Sequence, residues 1–277
     1  MDRPALRYFG AKWRLAPWII GHMAPHEVYV EPFAGGAGVL LRKPASGLEV
    51  YNDLNEAVVT FFRVLRERPD ELIEQIRLTP YSRVEWERAF EPAEDPIERA
   101  RRFYVRSWQS YGSTGHRPDD TGWQRLKTME RGKTYTEEWN ETDRLRAIAD
   151  RMSQVQIEKR DAMDCITEYD GENTLFYLDP PYLADVRERV RGYEHDMDTR
   201  EAHRSLAASI LDLDGMVLLS GYPSEEYYRW YEKRGWKREQ KSGRTMEGST
   251  TRTECLWMNP ALVEARGADL FHATPTG

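Results

Sequence analysis

The sequence predicts an α/β protein with a mostly parallel sheet, interrupted by an inserted, mainly helical segment. Three observations predict it. Short runs of β-branched and aromatic residues recur along the chain, and those at residues 174–178 and 216–220 are apolar almost throughout, as strands covered on both faces must be. Stretches with helical spacing separate them, the alternation expected of a parallel sheet. Between residues 80 and 150 the character shifts to Arg, Trp, Tyr and Glu with few aliphatic runs, which reads as an insertion.

Glu27 to Phe33 reads as a first strand ending at Pro32, followed by the small-residue turn Ala34-Gly35-Gly36-Ala37-Gly38. Leu48 to Asn52 is a second strand, ending at Asp53. Val58, Phe61, Phe62, Leu65, Leu72, Ile73 and Ile76 carry helical spacing over residues 54–78. Further strands are expected at 155–159, 174–178, 216–220 and 254–258, with helices at about 200–212 and 224–234. The aromatic run Tyr227 to Tyr231 fits a helix packed on the sheet. The chain after Pro260 reads as loosely ordered. These elements divide it into a core domain (1–60 and 151–265), an insertion (61–150) and a tail (266–277).

Of the 277 residues 40% are hydrophobic and 31% charged, which excludes a disordered chain. Cys165 and Cys255 cannot build a disulfide framework, so a reducing cytosol is expected. No leader-like apolar stretch and no membrane-length apolar run is seen. The six histidines are scattered without ligand spacing, so no metal site is expected. A net charge of −7 speaks mildly against a nucleic-acid partner, but Arg99 to Lys133 holds nine Lys/Arg against three acids, and Arg229 to Arg252 is a second basic stretch. Two basic islands on an acidic chain are compatible with one binding face.

Three constellations carry chemistry. The glycine turn follows a strand, where open α/β sheets bind ligands, and glycines let a backbone approach a nucleotide-like group; a plain tight turn is the alternative. Its spacing is neither the dinucleotide nor the phosphate-loop pattern. Asp53, about 20 residues past the glycines, suits a ribose diol, with a helix N-cap as the other reading. Asp179-Pro180-Pro181-Tyr182 ends the apolar strand 174–178. Two prolines remove two backbone donors and fix two φ angles, so the loop is rigid. It offers a carboxylate, free carbonyls and an aromatic face, parts that suit a planar amine; a stiff strand-exit turn is the alternative.

In these residues the chain resembles the DNA adenine methyltransferase (Dam) family, amino-methyltransferases with a D-P-P-Y motif. Arg7-Tyr8-Phe9-Gly10-Ala11-Lys12 is similar to its N-terminal cofactor block, Glu31 to Gly38 to its cofactor loop, and Asp179 to Tyr182 to its catalytic motif. Arg160-Asp161-Ala162-Met163 resembles, more loosely, the block that meets the cofactor's adenine. The resemblance implies a Rossmann-like methyltransferase fold with an inserted target-recognition domain. It implies S-adenosylmethionine as cofactor, held by Tyr8, Lys12, Pro32, Phe33, Gly35, Gly38, Asp53, Asp161, Ala162 and Asp179. Catalysis would fall to Asp179, Pro180 and Tyr182. It also implies double-stranded DNA as partner, a cytoplasmic enzyme of bacterial or phage origin, and leaves open a cognate restriction enzyme and whether the chain is a monomer or a weak dimer. The family's GATC-reading stretch is matched only by Arg106-Ser107-Trp108-Gln109-Ser110-Tyr111-Gly112-Ser113, which gives no ground for GATC. Arg106, Gln109, Ser110, Arg117 and Gln124 are the candidates to touch DNA; each could equally be an ordinary surface residue.

The expected reaction is methyl transfer to the 6-amino group of an adenine flipped out of the duplex. Alternatives are another planar amine (cytosine's 4-amino group, RNA adenine or a glutamine amide) or an inactive DNA-binding relative.

Overall fold

The computed structural model describes residues 1, 3–111, 121–125, 134–183, 199–244 and 251–272. A short helix α1 (Ala16–Ile20) precedes strands β1 (Val28–Glu31) and β2 (Leu48–Asn52). Helices α2 (Glu56–Glu67), α3 (Pro69–Leu78), α4 (Arg83–Arg88), α5 (Pro96–Gln109), α6 (Tyr135–Asn140) and α7 (Asp143–Met152) follow. The chain then alternates through β3 (Gln156–Glu158), α8 (Ala162–Glu168), β4 (Thr174–Leu178), α9 (Arg200–Ile210), β5 (Met216–Gly221) and α10 (Glu225–Trp230). It closes with β6 (Lys237–Arg244), β7 (Thr251–Met258) and α11 (Pro260–His272).

The seven strands lie in the order β3-β2-β1-β4-β5-β7-β6. β3, β2, β1, β4 and β5 are mutually parallel, while β7 runs antiparallel to both β5 and β6. Alternate side chains feed two cores. Tyr29, Tyr51, Leu175, Tyr177 and Leu218 face one, and Val30, Val50, Phe176, Leu178 and Val217 face the other. Burial of both faces is why the central strands read as continuous apolar runs.

The helical stretch over 54–78 is two helices. Arg68 leaves helical geometry and Pro69, which cannot donate within a helix interior, starts the second. The aromatics of α5, Phe103, Tyr104 and Trp108, pack with Phe61 of α2, Trp139 and Leu145 into the same core that lines one sheet face. The boundary expected at residue 60 therefore falls inside α2, and the helical region is built onto the sheet through a shared core.

One expectation needs correction, and one strand goes unpredicted. The chain after Pro260 is helical over Pro260–His272. Asn259 explains this: its Oδ1 accepts from the Leu262 N–H at 3.0 Å, Pro260 takes the first helical position, and Leu262 is buried. The strand β6 was not foreseen because Lys-Arg-Glu-Gln-Lys-Ser-Gly-Arg has no apolar alternation. It is an edge strand whose charged, largely exposed side chains guard the sheet against pairing with other chains.

Candidate active site

From β1 the chain winds outward to β2 and β3 before returning to β4 on the other side of β1. The strand order reverses between β1 and β4, and the crevice beyond their carboxyl ends is where such sheets bind ligands. A cavity of ≈ 310 Å³ opens there. Tyr8, Lys12, Pro32, Phe33, Gly35, Gly38, Asp53, Asp161, Ala162 and Asp179 all line it. Five segments far apart in sequence thus converge on one space, as expected from the motifs.

The glycine turn is shaped by protein as well as by cavity. Gly35 has φ +46°, and a Cβ there would stand 2.7 Å from Tyr8 Cε1. A Cβ on Gly38 would meet the backbone N of Trp13 at 3.0 Å. The glycines are therefore needed first to admit the N-terminal segment, whereas the sequence suggested ligand approach or a plain tight turn. That segment is clamped from behind by α5: Trp108 Nε1 donates to the Ala5 carbonyl at 2.9 Å and Ser107 Oγ to the Arg7 carbonyl at 3.0 Å.

Asp53 is not the cap of α2. Asn55 is, its Oδ1 accepting from the Ala57 N–H at 2.9 Å. Asp53 instead ties the turn to β2, accepting from the Gly35 N–H at 2.8 Å on one oxygen and the Asn55 N–H at 2.8 Å on the other. Asp53 also lines the cavity. Asp161 caps α8 through the Met163 N–H at 2.8 Å and also lines the cavity. Fully buried Asn52 links these loops, donating to the Pro32 and Arg160 carbonyls and accepting from the Arg160 N–H. Sequence reading missed it; the only signal was an amide where an apolar strand ends.

Asp179 follows the last residue of β4. Its Oδ2 pairs with Lys12 Nζ at 2.9 Å, and Lys12 also donates to the Gly10 carbonyl at 2.9 Å. Asp179 Oδ1 is buried and has no hydrogen-bond partner among the described residues. A buried acceptor left open costs free energy unless something else fills it. Pro180 is buried beside it. The Pro181 carbonyl lies 2.8 Å from His203 Nε2 on α9. Tyr182 is buried, with its hydroxyl donating to Glu254 Oε2 at 3.0 Å, its ring edge-on to Tyr222, and the Lys12 ammonium 4.9 Å from its centre.

Glu31, the last residue of β1, was read only as part of its motif, yet it lines the cavity and is 2% exposed. It accepts from the Tyr29 hydroxyl at 2.6 Å. Burial, with a further push from the nearby Asp179 charge, raises its carboxyl to about 8.

Of the residues expected to read DNA, Gln109 and Gln124 meet through the Gln124 N–H and the Gln109 carbonyl at 2.7 Å, but the side chains are largely engaged within the protein. Gln109 is fully buried; its Oε1 accepts from the Ser82 N–H at 3.0 Å and its Nε2 donates to the Pro80 carbonyl at 3.2 Å. Ser110 is buried under Trp86, whose Nε1 donates to it at 2.9 Å. Both are corrected to roles inside the helical region, because their polar groups are already used there. Arg106 is half-buried between Phe90 and Phe103. Gln124 accepts from Arg7 Nη1 at 2.7 Å. Arg117 lies outside the described residues. The first basic island is also partly neutralised: Arg101 and Arg102 both pair with Glu98, whose carboxyl they hold down to about 2, and Arg99 pairs with Glu56. Among the described residues no three His, Cys, Asp or Glu side chains converge as metal ligands, and no helix is long and apolar enough to cross a membrane.

A largely parallel seven-stranded sheet with this strand order, and a cavity of this kind at its reversal point, defines a Rossmann-like methyltransferase fold. The family model of the D12 class N6 adenine-specific DNA methyltransferases matches residues 8–245, and the chain belongs to that family. It is accordingly an adenine-specific DNA methyltransferase, an enzyme class that depends on S-adenosylmethionine. No curated protein matches the chain. Among solved structures it is similar to a precorrin 8W decarboxylase from Methanobacterium thermoautotrophicum at 8% identity and a TM-score of 0.36, covering 89% of each chain. A likeness that distant carries no argument.

Proposed function

We propose that the cavity holds S-adenosylmethionine and that Asp179, Pro180 and Tyr182 act on the 6-amino group of an adenine flipped out of double-stranded DNA. The observation that carries this reading is the buried, unpartnered Asp179 Oδ1 at the cavity wall. An amino hydrogen is the partner it lacks.

The donor set fits the cofactor. Asp53 and Asp161 present carboxylates at the carboxyl edge of the sheet, suited to ribose hydroxyls and polar ring edges. Phe33, Leu54 and Met163 supply the apolar surface that a flat heterocycle needs. Tyr8 and Lys12 also line the cavity, with Lys12 paired to Asp179. When bound, the cofactor supplies a methyl group on a positively charged sulfur.

The chain's residues then do the following. The amino nitrogen of adenine is a poor nucleophile because its lone pair is delocalised into the ring. Asp179 Oδ1 and the Pro180 carbonyl accept its two hydrogens, draw the nitrogen toward tetrahedral geometry and localise that lone pair. This is catalysis by position and electrostatics, with no covalent enzyme intermediate. Tyr182 gives the extruded base an aromatic wall, an interaction worth about 1–3 kcal/mol, which offsets much of the unstacking cost. The helical region 61–150 supplies the phosphate and base contacts that choose the target.

The test uses labelled S-adenosylmethionine and unmethylated duplex DNA, followed by digestion to nucleosides. Label is expected in 6-methyladenosine; label in another nucleoside, or none, overturns the reading. Asp179→Ala is expected to slow transfer about 10²–10³-fold, the usual cost of removing one preorganised polar contact to the reacting group. Its cofactor affinity should change far less. Full activity in that variant overturns the mechanism.

A further inference from the structure

We infer that His203 is a positioning residue that fixes the Asp179–Tyr182 loop through the Pro181 carbonyl, an inference that rests on the reading of that loop as the site of transfer. The loop has an unusual difficulty. Pro180 and Pro181 have no N–H, so two of its residues cannot donate hydrogen bonds to anchor it to the sheet. It is held from outside, and the hold on its centre is His203.

The chemistry of the partners places a hydrogen on one ring nitrogen. A carbonyl only accepts, so Nε2, 2.8 Å from the Pro181 oxygen, carries the hydrogen. In the neutral ring Nδ1 is the acceptor, and the Tyr227 hydroxyl, 3.0 Å away, donates to it. Burial holds the Tyr227 phenol well above its ordinary pKa, so that donor is not lost near neutral pH. The result is a directed chain, Tyr227 to His203 to Pro181, with every member buried.

The far end of the chain is itself built in. Tyr227 lies edge-on to Trp257 with centroids 4.9 Å apart. A Cβ on Gly221, at the end of β5, would come within 2.8 Å of Tyr227 Cε2, so that strand ends in glycine to admit the ring. His203 also sits on the helix whose Ala202, Ser205 and Leu206 line the cavity. One helix therefore shapes the cavity wall and holds the loop that carries Asp179. The imidazole, with a hydrogen on Nε2, transmits the geometry of β5 and α10 to the reacting edge.

The experiment compares the wild-type chain with His203→Leu, His203→Gln and Tyr227→Phe. It measures the single-turnover rate of methyl transfer to unmethylated duplex DNA, the dissociation constant for S-adenosylmethionine, and thermal unfolding. His203→Leu removes the donor to Pro181 and should slow transfer about 10–10²-fold, the scale set by misplacing a catalytic group by an ångström or less. The cofactor dissociation constant should change by less than threefold, roughly, since no cofactor contact is removed. His203→Gln can donate from near the Nε2 position and should recover most of the rate. Tyr227→Phe should give a smaller loss, because the imidazole remains but its hydrogen is no longer steered to Nε2. A wild-type rate in His203→Leu overturns the inference, as do equal losses in the Leu and Gln variants, which would mean that bulk alone matters. Should His203→Leu not fold, Tyr227→Phe decides: a wild-type rate there overturns the inference. An inactive wild-type chain would instead overturn the proposed function.

Discussion

Two turns leave the sheet at the cavity, and they are held in opposite ways. After β1 the chain turns through glycines, and it is fixed because another part of the protein fills the space that side chains would occupy: the Tyr8 ring stands where a Gly35 Cβ would be. After β4 it turns through prolines, whose own φ angles are fixed but which have no donors, so it is fixed by groups that reach in from Lys12 and α9. The two carboxyls at these strand ends differ in the same sense. Glu31 is buried at the cavity wall and held protonated up to about pH 8, while Asp179 is paired on one oxygen and open on the other among the described residues. The first turn is a mould and the second is a suspended arm. A mould should fail by overfilling, and a suspended arm by loss of its supports.

The largest effect should come from overfilling the mould. Gly35→Ala adds a Cβ at φ +46° against Tyr8 and should cost about 2 kcal/mol or more, from the left-handed backbone and the clash together. Urea denaturation measures it. The loss should shrink when Tyr8→Ala is added, and strict additivity of the two changes would break the comparison.

Glu31 gives the next effect, read as a pH dependence. Its carboxyl is raised from an ordinary value near 4.5 to about 8 in the folded protein, so the folded chain holds a proton that the unfolded chain has released. The stabilising contribution of that proton is complete below about pH 4.5 and is lost as pH rises through 8. Between those values the stability of the cofactor-free protein should fall by at most about 1.4 kcal/mol per pH unit from this group. Glu31→Gln keeps the shape without the proton equilibrium and should flatten that slope. An unchanged slope would place Glu31 among ordinary carboxyls.

The smallest effect belongs to the prolines themselves. Pro181→Ala should cost only about 0.4–1 kcal/mol, mainly by freeing the unfolded chain. The bond from His203 goes to the main-chain carbonyl and survives the change. The rate of transfer should therefore fall far less than in Asp179→Ala. A loss as large as that of Asp179→Ala would mean that proline rigidity, rather than outside support, holds the arm.

The sequence made the sheet edge readable and the helical region hard to read, for a physical reason. At the carboxyl ends of β1, β2 and β4 the chemistry is local: Gly35, Asp53 and Asp179 each sit where an apolar strand stops, and a strand followed by a turn leaves a short, recognisable pattern. All ten expected cofactor positions line one cavity for that reason. In the helical region polarity misled. Gln109 and Ser110 are polar residues on a helix rich in arginine, and only the fold reveals that Pro80, Ser82 and Trp86 consume their hydrogen bonds. The arginines of α5 looked like a phosphate-binding stripe, but Glu98 and Glu85 sit within reach of them. Asn52 and His203 were invisible because their partners lie far along the chain, at Arg160 and Pro181. The helix after Asn259 was legible from its Asn-Pro start and was overlooked because the residues that follow carry little apolar pattern.

The clamp on the N-terminal segment also sets a clock. The wall that Tyr8 and Lys12 provide is fastened by bonds that span more than a hundred residues, from Trp108 to Ala5 and from Gln124 to Arg7. Contacts so distant in sequence form late, because a long loop must be closed before they return any free energy. During synthesis residues 5–12 emerge before α5 and cannot be clamped until it has been made. The cavity wall that Tyr8 and Lys12 form is thus incomplete until the helical region has folded against the sheet.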